Sequence, residues 1–544
     1  MNQFLTRTLF LWKAFPALLC LIFISPLVVI FLSLTGGFSE NWTHLYNFVL
    51  AEYLRNSLIL VVGVSLLSFI LGTLSAWIVT SYDFLGKKIF EWLLILPLAI
   101  PPYILAYTFT GLFDSYGSAN NLIRNIFDLD PSFVFFPSIR NIYGAIIVFS
   151  FTLYPYIYLI CRAAFLNQSK IILETGRVLG LNRIKVFYKL ALPMIRPAVI
   201  AGMMLVIMET LSDFGAVDHF AVQTFTTGIF RTWYGMYDLQ TAMQLASLLL
   251  MFIVIFMVIE RSSRKNATYD SPISNASSNK PEPLKGMSSF ICFCFCLIPI
   301  FIGFILPLIE LSIWAFNHNL AFFNEKFIQQ SLNTILVAVI AAILCVVLAF
   351  IVNFSVRFTN SIHLKRVNPF LSLGYGVPGL ILAVGIVQLF TFLDRSILEK
   401  SDFILTGSLV GLLLAYIIKS YALANSTLES GFEKINRQID DSARVLKSAG
   451  WNLLIKIHFP LMKTSLLTSI LLVMSEVVKE LPATLILRPF NFDTLAVSTY
   501  IYAAEERMHE AASPAIAIII IGLIPIIFLT QMIRNSRNTV NSQT

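Results

Sequence analysis

Glu209 and Asp213 stand four residues apart in MLVIMETLSDFGAVDHF, and Glu476, Lys479 and Glu480 stand together in LLVMSEVVKELPATLIL. Both stretches are otherwise apolar, and ionisable side chains inside such runs are costly enough to be functional candidates. Residues four apart share a helix face, so the spacing stacks Glu209 with Asp213 and Glu476 with Glu480. Lys479, three residues from Glu476, is close enough to pair with it. Carboxylate oxygens are hard ligands suited to a hard cation. Two readings follow: these groups line or gate a path for a solute, or they form an intramembrane salt bridge that holds the chain together. Whether any of them holds a metal is left open by the sequence. Glu260 and Glu310 lie near the ends of apolar runs and read as interfacial.

Other chemistry finds little support. The six histidines are dispersed, without an HxxxH or HExxH pair, and no nucleophile elbow occurs. His458, before Phe459-Pro460, reads as a packing residue. The six cysteines lie in or beside apolar runs without CxxC spacing, so they read as small packing residues. Gly86-Lys87-Lys88 lacks the upstream Gly and the following Ser or Thr of a phosphate loop. The expectation is a chain that is not an enzyme and binds no cofactor of its own.

The elements that must position the charges are membrane helices. Of the 544 residues, 57% are apolar and only 12% charged, against about 25% charged in soluble domains. A span needs about 20 mostly apolar residues, and twelve stretches qualify: 14–34, 57–80, 90–112, 142–161, 197–217, 240–259, 289–315, 333–355, 369–392, 404–425, 464–487 and 513–533. The first, following Arg7 and Lys13, is too long for a cleaved signal and reads as a retained helix. Most of the 38 Lys and Arg fall in loops on the side of the N-terminus. That asymmetry predicts both termini in the cytoplasm, and it explains the net charge of +8 without nucleic acid.

A Ser-, Asn- and Pro-rich stretch, Arg261 to Lys285, cannot bury a core and reads as a flexible linker. It predicts a first half over 1–260, a linker over 261–287 and a second half over 288–544. The halves are related. A shift of 267 residues lays ETGRVLGLNRIKVFYKLALP, Glu174 to Pro193, on DSARVLKSAGWNLLIKIHFP, Asp441 to Pro460. The same shift lays Glu209 on Glu476, Asp213 on Glu480, Ala216 on Ala483 and Thr227 on Thr494. Such repeats are duplicated units. Each starts on the same side, so they are parallel, about an axis along the membrane normal.

Two long cytoplasmic loops, 162–196 and 419–463, occupy matching places. Each reads as a short amphipathic helix, a second helical stretch, and a proline entering the next span. In the first, Ile171, Ile172, Val178 and Leu179 can share an apolar flank, and Gly180 suits a helix stop in the left-handed conformation. These loops resemble the hallmark of inner-membrane permeases of ABC importers, Glu-Ala-Ala, three residues, Gly, nine residues, Ile, one residue, Leu-Pro. The first loop has Glu174, Thr175, Gly176, Gly180, Leu190, Leu192 and Pro193 at that spacing; the second has Asp441, Ser442, Ala443, Ile457, Phe459 and Pro460. Lys447 stands where the family has Gly. A left-handed Lys costs roughly 1–2 kcal/mol, which moves the expected helix stop to Gly450.

The resemblance implies an all-α polytopic protein with the architecture of a type-I ABC importer permease in a bacterial inner membrane. It implies two copies of a cytoplasmic ATPase, which carry the ATP and Mg, one on each loop, and a periplasmic binding protein. The stretches Glu209–Gly215, Thr226–Ile229, Lys479–Thr484, Arg488–Leu495 and Tyr154-Pro155-Tyr156 resemble the fused permeases for ferric iron. That resemblance implies ferric iron as cargo and puts the binding protein on Asp218–Asp238 and Arg488–Glu510. Related fused permeases move thiamine, phosphonates, polyamines or sulfate. A secondary transporter of the major facilitator type is the rival class, but its basic turn between spans two and three has no counterpart in Ser81–Lys88.

Overall fold

The computed structural model describes residues 2–168, 174–176, 178–265, 281–317, 324–400, 404–446 and 448–541. The chain is built from helices, and the described residues contain only one two-stranded sheet. Nine described helices are long and apolar enough to cross a membrane, or up to twelve if each of three bent pairs is one span. The bent pairs are Lys87–Ala99 with Pro102–Phe127, Arg183–Met194 with Arg196–Ser212, and Trp451–Leu461 with Lys463–Lys479. Taken as spans, they divide six and six about the linker. The protein is a multi-pass membrane protein.

The bends have local causes. The stretch predicted as one span over 90–112 turns by 89° at Pro101-Pro102, because proline supplies no amide and disfavours helix in the residue before it. The other two bends, of 75° and 79°, fall at Ile195 and Met462, equivalent residues at the shift of 267. Just before each lies a widened π-type turn, Phe187–Ala191 in one half and Leu454–His458 in the other. The duplication therefore reaches the backbone hydrogen-bond pattern.

The first helix of each half packs on the other half as well as on the last helix of its own. Asn2–Leu32 lies along Glu325–Thr359, Ile362–Leu371 and Gly379–Ser396, while Met287–Asn317 lies against Leu50–Ser81 and Pro102–Phe113. These contacts need small residues. A Cβ on Gly385 would sit 2.7 Å from the Pro26 carbonyl oxygen, and one on Gly303 would sit 2.6 Å from that of Phe151. In lipid, close backbone approach of this kind is a main source of helix association.

The helix Leu239–Lys265 continues past Arg261, where the linker was expected to start. Glu282-Pro283, expected in the linker, pairs in parallel with Tyr82-Asp83, and Arg183 of the first long loop forms an ion pair with Glu282.

Candidate functional site

The repeated span helices end abruptly. Arg196–Ser212 stops at Asp213 (φ −71°, ψ 140°), and Lys463–Lys479 stops at Glu480 (φ −71°, ψ 113°). Both residues are extended, and each carboxylate caps the short helix that follows. Asp213 Oδ1 accepts from the amides of Ala216 (2.8 Å) and Val217 (3.3 Å), and Glu480 Oε1 from that of Ala483 (3.3 Å). The expectation that Asp213 and Glu480 stack on the helix face of Glu209 and Glu476 is thus corrected. They sit at helix breaks, because a side chain that caps the next helix must leave the first one.

The breaks bring the charges together. Glu209, Ser212 and Asp213 of the first half meet Lys419, Glu476, Lys479 and Glu480 of the second around a cavity of about 80 Å³, walled also by Tyr103 and Tyr156. Lys479 Nζ lies 3.5 Å from Glu476 Oε2, the pairing expected from their spacing. Lys419 donates to Glu480 Oε2 in a buried ion pair. Glu209 accepts from the Tyr375 hydroxyl at 3.3 Å; among the described residues no cation lies within ion-pair distance of Glu209 or Asp213. Four carboxylates thus face two ammonium groups. No group of three or more His, Cys, Asp or Glu placed to hold a metal is found among the described residues.

Lys419 was expected as the first residue of a cytoplasmic loop. It lies instead inside the helix Leu409–Glu433, and that loop begins only after Glu433. Polar residues imitated a loop there, but they face protein: Asn425 accepts from Asn353 at 2.8 Å and donates to Ser372 at 3.2 Å. Glu310, expected at the interface, is buried and accepts from Ser118 at 2.5 Å. The tyrosines at the cavity gave no signal in the sequence beyond their place beside Pro101-Pro102 and in Tyr154-Pro155-Tyr156.

The two long loops carry a second pair of equivalent features. Glu174, Thr175 and Gly176 are helical; Gly176 is buried, and a Cβ there would meet Leu190 Cδ1 at 2.3 Å. Ala443, its equivalent, is likewise buried. Gly180 is left-handed (φ +83°), as its position predicted. Ile171 and Ile172 lie outside the described residues, but Val178 and Leu179 are 87% and 77% exposed, and their equivalents Val445 and Leu446 are 82% and 81% exposed. The second helix, Arg437–Val445, carries Asp441, Ser442 and Ala443 and ends at Leu446, short of the expected stop at Gly450. Gly450 (φ +56°) begins the next helix instead; Lys447 lies outside the described residues. Asp440 anchors this loop, 2.6 Å from Arg357 and 3.0 Å from buried His458. Pro193 and Pro460 open the short turns Leu192–Met194 and Phe459–Leu461 that lead into the bends, and Ile457 lies in the π-type turn before the second.

The shift of 267 fails farther out. Thr224 caps Phe225–Met236 and Thr494 caps Leu495–Ala504, so the cap equivalent to Thr494 is Thr224 and not Thr227.

The model of the binding-protein-dependent transport system inner membrane component family matches this chain twice, over residues 68–262 and 346–538. The chain belongs to that family. This binding-protein-dependent permease is similar over nearly its whole length to the Fe(3+)-transport system permease protein FbpB 2 of Haemophilus influenzae, at 25% identity over 94% of this chain and 95% of the relative. It is also similar to the sulfate transport system permease protein CysT of Salmonella typhimurium, at 27% identity over 36% of this chain and 69% of the relative. The putative molybdenum transport system permease protein YvgM of Bacillus subtilis matches at 28% identity over 30% and 70%. The permease is of the ABC importer class, whose permease subunits have no ATPase site of their own. Membership implies an ATPase and a substrate-binding protein as partners.

Proposed function

We propose that this permease carries ferric iron across a bacterial inner membrane by alternating access, with both termini in the cytoplasm. The observation that carries the cargo is the end-to-end similarity to an Fe(3+)-transport system permease. The excess of carboxylate over ammonium at the central cavity is chemistry that a hard cation can use. Glu209, Asp213, Glu476, Lys479 and Glu480 line the path or its gate, and Lys419 joins them.

One ATPase copy docks on each loop, through Glu174–Gly180 with Val178 and Leu179, and through Asp441–Leu446 with Val445 and Leu446. Apolar side chains this exposed in both repeats form small docking knobs. ATP and Mg reside on those partners. Closure of the ATPase pair moves both loops together, and the bends at Ile195 and Met462 transmit that motion to the helices ending at Asp213 and Glu480. The binding protein docks outside, on Asp218–Asp238 and Arg488–Glu510.

Uptake of radiolabelled ferric iron into vesicles carrying the permease, its ATPase and its binding protein tests this reading. ATP-dependent accumulation is expected. Accumulation driven by a proton gradient without ATP overturns the mechanism. ATPase stimulation only by a binding protein loaded with sulfate or molybdate overturns the cargo.

A further inference from the structure

The connection between the spans predicted at 90–112 and 142–161 reads from the sequence as a loop outside the membrane. It folds into a lobe, the helix Ser118–Phe127 with the segment 133–136 held against it. Polar groups of this lobe point inward. Asn120 and Arg124 are buried and hold the segment by its backbone. Asn120 Oδ1 accepts from the amides of Phe135 and Phe136 at 3.0 Å each, and Arg124 donates to the Phe133 carbonyl at 2.9 Å. Apolar groups point outward. Leu122, Ile126 and Phe127 are 61%, 63% and 65% exposed, and Phe133, Val134 and Phe135 are exposed as well.

The helix has three sides. Its turn of 3.6 residues puts Asn120 and Arg124 on the buried side, Ala119, Leu122, Ile123 and Ile126 on a second, and Ser118, Asn121 and Asn125 on a third that is exposed. A surface helix in water buries its apolar side against protein; this one buries a polar side and turns the apolar side out.

The lobe also starts at membrane depth. Ser118 donates to Glu310 at 2.5 Å, and Gly111, in the helix before it, packs on Trp314. Glu310 stands about seven residues, roughly 10 Å, before the end of its helix at Asn317. That helix exposes Ile309, Ile313 and Phe316. In the second half the matching connection, 397–408, holds no helix among the described residues.

We infer that the lobe seats in the outer leaflet of the bilayer, with Leu122 and Ile126 among acyl chains and Asn121 and Asn125 toward the headgroups, as an anchor for the bent helix that carries Tyr103 to the central cavity. Lipid is the occupant this surface fits. The lobe begins at the level of exposed apolar residues on a membrane helix, and its apolar side carries no charge for a protein partner to read. A docking face for a soluble binding protein would stand bare in water between visits, and large exposed apolar clusters are rare in water. Interfacial helices hold by buried apolar area and by attraction to anionic lipid; with Asp128 and Asp130 just past its end, this one relies on the area. The inference goes beyond the transport reading and takes from it only the orientation of the chain.

The test uses the permease with its ATPase in nanodiscs of phosphatidylcholine, where reagent reaches both faces of the membrane. Asn121→Cys, Asn125→Cys, Leu122→Cys and Ile126→Cys are made one at a time and treated with a charged maleimide, and labelling is read on the permease band. The wild-type chain, whose cysteines lie in or beside apolar runs, gives the blank. Each side of the helix is tested twice, so one misfolded variant does not remove the contrast. Expected is fast labelling at both asparagine positions and labelling at least roughly tenfold slower at Leu122→Cys and Ile126→Cys, because a thiol among acyl chains meets the reagent only when the lobe lifts. The contrast should be the same with phosphatidylglycerol in the disc and with loaded binding protein added. Equal labelling at all four positions overturns the anchor. So does fast labelling at the two apolar positions that the binding protein suppresses, since the face is then a protein dock. A contrast that appears only with phosphatidylglycerol overturns the reliance on apolar area. In right-side-out cell vesicles, Asn125→Cys reacting only after lysis overturns the orientation, and the outer-leaflet assignment with it, while the contrast in nanodiscs stands.

Discussion

The Tyr375 hydroxyl, on the short turn Ser372–Gly376 of the second half, donates to Glu209 Oε1 of the first at 3.3 Å. The bond bridges the halves beside the cavity where Glu209 has no cationic partner among the described residues. A hydrogen bond to a charged group contributes about 1.5–3 kcal/mol. Tyr375→Phe is therefore expected to loosen the closed gate and raise ATP hydrolysis without binding protein severalfold, read as phosphate release from proteoliposomes. Glu209→Gln with Glu476→Gln is expected to cut ferric uptake while the ATPase still co-purifies; unchanged uptake would remove these carboxylates from the path.

Lys419 and Glu480 are expected to behave as a unit. Removing one partner of a buried ion pair strands the other and costs about 3–5 kcal/mol, whereas replacing both with apolar groups is often neutral. Lys419→Met should lower the thermal midpoint and the yield of detergent-purified complex. The double variant Lys419→Met with Glu480→Leu should recover the yield without recovering transport. A single variant as stable as wild type would show that the pair is solvated.

In the docking loops, Gly180→Asp places a Cβ on a left-handed residue that has open space around it. The expected harm lies in the loop's shape and in its contact with the ATPase, not in internal packing. Gly180→Asp and Glu174→Arg should insert normally yet abolish ATP-driven uptake. Val178→Asp with Val445→Asp should prevent co-purification of the ATPase. Normal coupling in these variants would sink the docking assignment.

Outside the spans, Asp238 gathers hydrogen bonds from the Thr241 amide and from the side chains of Ser39, Thr241 and Asn41. Burial by itself raises its pKa, but these bonds together bring it down to about 2. A depressed carboxylate stabilises the fold fully above its unfolded value, about 3.9, and the contribution is lost as pH falls from there through about 2. Hydrogen exchange of the Ser39–His44 segment should thus be independent of pH-driven opening at neutral pH and show extra opening only below about pH 4. Asp238→Ala, which also deletes a helix N-cap worth about 1 kcal/mol, should show that opening at neutral pH.

The legible part of the site was its chemistry. Glu209, Asp213, Glu476, Lys479 and Glu480 stood out because charges in apolar runs are rare, and all five line one cavity. The illegible part was its geometry. Asp213 and Glu480 match the period of a helix face, yet each ends its helix, since capping the next helix outcompetes one more turn. Lys419 was hidden because Ser420 and Asn425 beside it look like a loop when burial against protein is unknown. Tyr103, Tyr156 and Tyr375 are single polar groups among many aromatics, and only their distance from the carboxylates distinguishes them.

By itself the sequence determined the lipid-spanning helices, the six-and-six division, the duplication and the two matching long loops. Those follow from hydrophobic length, charge asymmetry and spacing, which are local or periodic properties of the chain. Tertiary structure alone decided that the first helix of each half packs on the other half as well as its own, that proline and two matched bends break three spans, and that seven residues from both halves converge on one cavity. Those outcomes depend on which small residue meets which backbone and on where a buried charge finds its partner, and these contacts join residues far apart in the chain.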